Sequence, residues 1–286
     1  MGRVRVALLY DILRWEEKSF VETSKKLDVD IVPIHIPTYY GRVGDGNSLS
    51  NNVDIAIQRG VSFYNSLEST ILFESYGINV VNKSYTIMVC QDKLWTTALL
   101  VRNKVPVPDT YVAFSHEVVP KISDKLGYPF VIKPIYGSWG RLLALIDEEE
   151  DMRTVVEHRS YMHNPMYSIY YIQEFVKKPG RDIRIFTVGD EVPVGIYRYS
   201  SHWITNTARG GKAVPLRIDP ELEDLALRTA RVVEGQFLGI DIFEHPEKGY
   251  VVNEVNAVTE FKNTVAVTGY DLTRKVLEYI IGLVRR

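Results

Sequence analysis

Over roughly the first 85 residues, short apolar runs alternate with stretches of helical spacing. Residues 5–10, 30–36, 53–58 and 78–81 read as strands, with helices over 16–27 and 64–76 and a Pro- and Gly-containing loop at 37–46. Strands interleaved with helices at this spacing predict a parallel sheet with crossover helices, an open α/β domain. Beyond it, 92–103 has helical spacing and is stopped by Pro106 and Pro108, which remove backbone donors. Residues 110–114, 130–133 and 142–146 read as strands. A helix headed by Ser115 runs to about 126, and acidic residues at 147–151 open another, where carboxylates suit the positive end of the dipole. Strands return at 170–176, 182–188, 192–199, 238–244 and 250–255, with a loop at 200–212 and a helix at 220–233. Leu272, Val276, Ile280 and Val284 fall on one face of a final helix. The fold class is therefore α/β followed by α+β, with segments expected at 1–89, 90–172 and 173–286.

Composition narrows the function classes. A 286-residue chain with 45% hydrophobic and 24% charged residues and a net charge of −2 is an ordinary globular protein. Bulk charge gives no reason to expect nucleic-acid or membrane-surface binding. One cysteine, Cys90, excludes an internal disulfide and multi-cysteine metal sites. No apolar run reaches the length of a membrane span, and the short run at 6–10 acquires charge at once, so a cytoplasmic location is expected.

Three constellations can carry chemistry. A glycine loop, Tyr136-Gly137-Ser138-Trp139-Gly140-Arg141, follows Lys133 at a strand end. Glycines let backbone N–H groups approach a phosphate, and the lysine supplies charge. A tight hairpin is the alternative, and neither a Walker loop nor a dinucleotide fingerprint is present. Asp241, Glu254 and Asn256 place three oxygen donors on two neighbouring apolar strands, a set that suits Mg²⁺ or, more blandly, polar groups at a sheet end. Residues 177–217 hold eight basic against three acidic side chains, a local excess of +5 that points to a solvated face, an anionic nucleotide or an acidic partner. The histidines show no metal spacing, and Cys90 reads as a small hydrophobe.

The order of Asp92-Lys93, Phe130-Val131-Ile132-Lys133-Pro134, the glycine loop, residues 171–176, Asp241 and Asn253-Glu254-Val255-Asn256 resembles the ATP-grasp ligases. That resemblance implies an ATP-grasp fold behind an N-terminal pre-ATP-grasp domain, with ATP and Mg²⁺ as cofactors. Lys93, Lys133 and loop residues Gly137, Ser138, Trp139, Gly140 and Arg141 would meet phosphates, and Asn206 would lie beside them. Gln173, Glu174, Phe175 and Val176 would form the adenine hinge, and Asp241, Glu254 and Asn256 would hold the metal. Gly180-Arg181-Asp182-Ile183-Arg184 and Thr205-Asn206-Thr207-Ala208-Arg209-Gly210-Gly211 resemble the branch that adds amino acids to peptide and protein C-termini, the ribosomal-protein S6 glutamate ligase-like group. It implies nucleotide roles for Arg181, Asp182 and Arg184.

Within that group, residues 135–141 and Glu260-Phe261-Lys262-Asn263-Thr264 resemble the α-aminoadipate–LysW ligases, the LysX family. This implies transfer of L-2-aminoadipate to the C-terminal glutamate of LysW, a small acidic carrier protein, through an acyl phosphate in lysine biosynthesis. Substrate roles would fall on Arg198, Thr207, Ala208, Asn256, Glu260, Asn263 and Thr264, and Arg209 with Lys133 would act in catalysis. A homo-oligomer, dimer or tetramer, is implied as well. The glutamate-adding ArgX relatives carry Gly-Phe where this chain has Asn263-Thr264. Alternatives are that glutamate chemistry, a bifunctional enzyme, a ligase with a small-molecule acceptor, or a nucleotide-binding protein without turnover.

Overall fold

The computed structural model describes residues 2–45, 49, 51–137, 140–205 and 211–285. It begins with β1 (Val4–Tyr10), α1 (Trp15–Ser24), β2 (Val29–His35), β3 (Ile55–Gln58), α2 (Phe63–Ser75) and β4 (Val80–Val81). These strands form a parallel sheet in the order β2-β1-β3-β4, with Val6 of β1 opposite Ile31 and Ile55. A parallel sheet is covered on both faces, and β1 accordingly buries Val6, Ala7, Leu8 and Leu9 in sequence rather than alternately.

Next come α3 (Ser84–Gln91), α4 (Lys93–Arg102), β5 (Thr110–Ala113), α5 (Val119–Leu126), β6 (Phe130–Lys133), β7 (Ala144–Ile146), α6 (Glu149–Ser160) and β8 (Tyr170–Glu174). The four strands make an antiparallel sheet ordered β5-β8-β6-β7. The third sheet, β11-β10-β9-β12-β13, is also antiparallel. It uses β9 (Arg181–Val188), β10 (Glu191–Tyr199), β11 (Lys212–Pro215), β12 (Phe237–His245) and β13 (Gly249–Asn256). Helices α7 (Pro220–Val232), α8 (Lys262–Thr268) and α9 (Leu272–Val284) complete the described elements.

The expected strands and long helices are present, and three elements were not anticipated. Helix α3 is rich in β-branched and aromatic residues, α8 reads K-N-T-V-A-V-T, and β11 is a short edge strand inside a polar loop. Their local propensity is weak, so tertiary packing decides them. Strand β7 starts at Ala144 rather than 142 because Leu142 takes a positive φ of 58°.

Packing crosses the sequence order. Helices α3 and α4 place Val89 and Leu100 in one core with Ile183, Ile240 and Val255 of the third sheet. Helix α9 returns to the start of the chain, where Leu272, Val276 and Ile280 pack with Val6, Leu8 and Phe20. Asn82 clamps the junction: its amide donates to the Phe237 and Ala257 carbonyls at 2.6 and 2.7 Å and accepts from the Gln236 and Phe237 N–H groups. Every hydrogen-bonding position of that buried amide is filled, so the N-terminal domain is keyed to the third sheet.

Candidate active site

Two cavities meet between the sheets. The smaller is lined by Lys93, Lys133, Gly137, Gly140, Arg141, Phe175, Val176, Lys178, Asp182 and Phe243 among others. Asp92 caps α4 by accepting from the Trp95 N–H at 2.9 Å, which sets Lys93 at the helix start. Lys93 Nζ then donates to the Gly137 carbonyl at 2.6 Å and lies 3.9 Å from Glu254. Lys133, at the end of β6, donates to Gln173 Oε1 at 2.5 Å and Asn253 Oδ1 at 2.8 Å. Burial pushes its ammonium down to about 7; the charge of Glu254 opposes that shift, and Lys93 adds to it. A lysine prepared in this way gains most when an anion enters.

Asn253 reaches Lys133 because β13 carries a bulge. Asp241 pairs with Glu254, but Ile242 pairs with Val252, so one residue of β13 has no partner on β12. Without that extra residue, alternation would send Asn253 to the face opposite Glu254; with it, both side chains line the smaller cavity. Asn256 lies opposite Gly239 and donates to its carbonyl at 3.4 Å, which leaves the amide oxygen as an acceptor. Gly239 is required here, since a Cβ would strike Thr259 Oγ1 at 2.1 Å. Asp241, Glu254 and Asn256 are thus brought to one sheet end with oxygen donors suited to a hard cation. Among the described residues no cluster of three or more His, Cys, Asp or Glu side chains is placed to hold a metal, so this set of two carboxylates and an amide would need other oxygens to complete a shell.

A chain of charges links the cavities. Arg184 binds Asp241 through Nε and, at 2.9 Å, Nη2, and its Nη1 donates to Thr259 Oγ1 at 3.0 Å. Arg198 grips Asp182 with Nε at 2.6 Å and Nη2 at 2.9 Å, and Nη2 lies 2.9 Å from Asp241. Arg198 is buried, and the two aspartates hold its guanidinium well above the usual arginine range against the burial that would lower it. Its Nε–Nη2 edge is therefore taken by the two aspartates, while the residue itself lies in the lining of the larger cavity, where the expected substrate role would place it. Lys178 donates to Thr205 Oγ1 at 2.7 Å, and the same hydroxyl donates to Asp182.

The basic excess of 177–217 is smaller at the surface than in the sequence. Arg181 forms a double ion pair with Glu244 at 2.6 and 2.7 Å and lies 4.0 Å over the Tyr197 ring, turned away from the smaller cavity. With Lys178, Arg184 and Arg198 it is neutralised by acidic partners, leaving Lys177, Lys212 and Arg217 as the exposed basic side chains of that stretch among the described residues. Glu174 also turns away, accepting from the Asp109 N–H and from Lys248, both at 2.7 Å. Ser138, Trp139, Asn206, Thr207, Ala208 and Arg209 lie outside the described residues.

The larger cavity, about 420 Å³, runs between the N-terminal domain and the third sheet and shares Gly137 and Glu254 with the smaller one. Glu260, Asn263, Thr264 and Asn256 line it. Its far wall comes from the N-terminal domain. Glu16 Oε1 accepts the Phe261 and Lys262 N–H groups at 3.0 Å each, and so fixes the start of α8, which carries Asn263 and Thr264. Cys90 faces this cavity, and burial and then Glu254 push its thiol up, which favours the protonated form.

A family model for the RimK-like ATP-grasp domain matches residues 90–280, and one for the LysX preATP-grasp domain matches residues 6–89. The chain belongs to the RimK-like ATP-grasp family. One relative, the alpha-aminoadipate–LysW ligase LysX of Sulfurisphaera tokodaii, is 47% identical over 96% of this chain and 99% of its own. The glutamate–LysW ligase ArgX of the same organism is 37% identical over 97% and 98%. The crystal structure of a RimK domain ATP-grasp protein from Sphaerobacter thermophilus shares the fold, with a TM-score of 0.77 at 23% identity over 98% of this chain and all of that one.

In this RimK-like ATP-grasp site, some contacts were not legible in the sequence. Asn253 depends on a bulge, Lys178 lay in a run of charges, and Phe243 in an ordinary apolar strand. Thr259, Arg14 and Glu16 meet the site only through folding. The short spacing of Lys177-Lys178 to Asp182 is the single local hint that Lys178 turns inward, since 178 and 182 face each other at 3.7 Å.

Proposed function

We propose that this protein is an ATP-dependent carboxylate–amine ligase that joins L-2-aminoadipate to the γ-carboxyl of the C-terminal glutamate of LysW. The observation that carries the reading is the meeting of the two cavities at Gly137 and Glu254. A phosphoryl donor in the smaller cavity then faces the cleft that holds Asn263 and Thr264. The 47% identity to a LysX enzyme over nearly the whole of both chains supports the substrate pair, and the Asn263-Thr264 pair favours aminoadipate over glutamate.

A carboxylate does not acylate an amine at neutral pH, so it must first become an acyl phosphate. Lys93 and Lys133 offer positive charge to phosphates, with Lys133 oriented by Gln173 and Asn253. Phe175, Val176 and Phe243 supply an apolar wall suited to a base, and residues 173–176 run from the end of β8 into the following loop as a hinge. The oxygen donors of Asp241, Glu254 and Asn256 fit Mg²⁺, which when bound would neutralise charge on the transferring phosphoryl group. Arg209 is assigned to the tetrahedral oxyanion formed when the amine attacks. No covalent enzyme intermediate is needed. The segments 1–89, 90–172 and 173–286 divide the work: the first walls the amino-acid cleft, and the other two grip the nucleotide. An ATP requirement and a single buried thiol support a cytoplasmic setting.

The test is release of ADP and phosphate on mixing enzyme, ATP, LysW and aminoadipate, with none when either acceptor or amino acid is left out. AMP and pyrophosphate as products would replace the acyl-phosphate route with adenylation.

Lys133 predicts a pH signature. Its depressed value means that the free site has lost its proton above about pH 7, and bound phosphates restore it. ATP affinity should therefore fall as pH rises from 7 to 9, by up to about tenfold per unit, with proton uptake on binding. Calorimetry in two buffers of different ionisation enthalpy measures that uptake. Lys133→Arg, which stays charged, should flatten the dependence, and an unchanged slope would remove Lys133 from the phosphate site.

A further inference from the structure

An acidic amino acid brings two carboxylates into the larger cleft, and cationic groups must meet them. Among the described residues the cationic side chains lining it are Arg14, Arg184, Arg198 and Lys262. Arg184 and Arg198 are committed to Asp241 and Asp182. Arg14 is built differently. Its Nε and Nη2 donate to Glu17 at 3.1 and 2.8 Å, and Nη2 also donates to the Arg59 carbonyl at 3.0 Å. Glu17 is wholly buried and is held in turn by Arg59 Nε at 3.2 Å. These bonds fix the plane of the Arg14 guanidinium before any ligand arrives.

The remaining nitrogen, Nη1, reaches Glu260 Oε1 at 3.0 Å across the cleft. The Glu260 side chain is 50% exposed, so it forms the sort of ion pair that exchanges at little cost. It also stands three residues before Asn263. A preorganised guanidinium with one nitrogen on a replaceable carboxylate is a carboxylate receptor in its resting state.

We propose that Arg14 is a substrate-binding residue whose Nη1 takes the side-chain carboxylate of the incoming amino acid in place of Glu260. The N-terminal domain then reads the end of the substrate that separates an acidic amino acid from an aliphatic one, while Thr264 and Asn263 judge its length. This assignment rests on the reading of the larger cleft as the amino-acid site.

The test uses the full enzyme with ATP and LysW. L-2-aminoadipate is the substrate, and L-2-aminohexanoate, its methyl-ended counterpart, is the competitive inhibitor. Arg14→Gln and Arg14→Lys should raise KM for aminoadipate about ten- to a hundredfold. KM for ATP and the inhibition constant of aminohexanoate should stay within about twofold. An unchanged KM for aminoadipate in a folded variant, or an equal loss for both ligands, overturns the assignment. Because Arg14 also anchors Glu17, Glu260→Gln is a second variant that leaves the anchor intact. Removing the competing carboxylate should lower KM for aminoadipate, and a rise would show that Glu260 itself holds the substrate, through the substrate's ammonium group, and would overturn the exchange. If the wild type uses glutamate rather than aminoadipate, the reading of the substrate fails. Arg14 is then still decided by the same comparison with glutamate and L-2-aminopentanoate.

Discussion

Glu254→Gln should lower kcat at least about a hundredfold in a protein that keeps its fold, a loss of roughly 3 kcal/mol of transition-state stabilisation. Glu254 stands where the two cavities join, 3.9 Å from Lys93 and opposite Asp241 across the β12–β13 pair. The amide keeps the size of the side chain and removes the charge. That charge is one of the two carboxylates assigned to Mg²⁺ in the proposed reading, and it also favours the protonated form of Lys133. Both effects act on the phosphoryl group, so ATP binding should weaken along with turnover. The fold should survive, because Glu254 contributes no part of the apolar core and its side chain is a quarter exposed. Steady-state rates with a thermal melt on the same sample decide the matter. Normal turnover in a folded variant would remove Glu254 from the metal site.

Asn263→Gly combined with Thr264→Phe should shift the kcat/KM ratio from aminoadipate toward glutamate by tens to about a hundredfold. Aminoadipate is glutamate with one more methylene, and a methylene in a fitted pocket is worth about 1–3 kcal/mol. Thr264 is buried in the first turn of α8 and lines the cleft, so a phenyl ring there would fill space that the proposed site gives to the longer substrate. Glycine at 263 gives up the polar contact that the exposed Asn263 offers at the longer reach. Competition between the two amino acids measures the ratio directly. A folded double variant that kept its preference would place selectivity elsewhere in the cleft.

Much of the molecule follows from local pattern. The apolar runs of β1, β6, β9 and β12 and the stepped face of α9 set the element order, because strand and helix periods are properties of neighbouring residues. Glu254 and Asn256 on one strand, Asp241 on an apolar strand, and Lys133 ahead of a glycine loop stood out without coordinates, and the fold brings them to the two joined cavities. Their spacing is short, and a charged group within an apolar run needs a compensating partner wherever the chain folds.

Pairing over long sequence separations was decided elsewhere. Arg181 and Arg184 stand three apart in one strand, so alternation sends them to opposite faces, but that one meets Glu244 and the other Asp241 was set by the pairing of β9 with β12. The bulge opposite Asp241 moved Asn253 onto Lys133, a shift that a period of two does not encode. Arg198 was taken by two aspartates that arrive from different strands. Arg14 met Glu260, 246 residues away, only because α9 and Asn82 hold the N-terminal domain against the third sheet. The sequence by itself determined which strands and helices form and which groups carry charge, since both depend on short-range covalent order. The tertiary structure alone decided which charges neutralise one another and which remain to meet a ligand, because that depends on distances between residues the chain order does not place together.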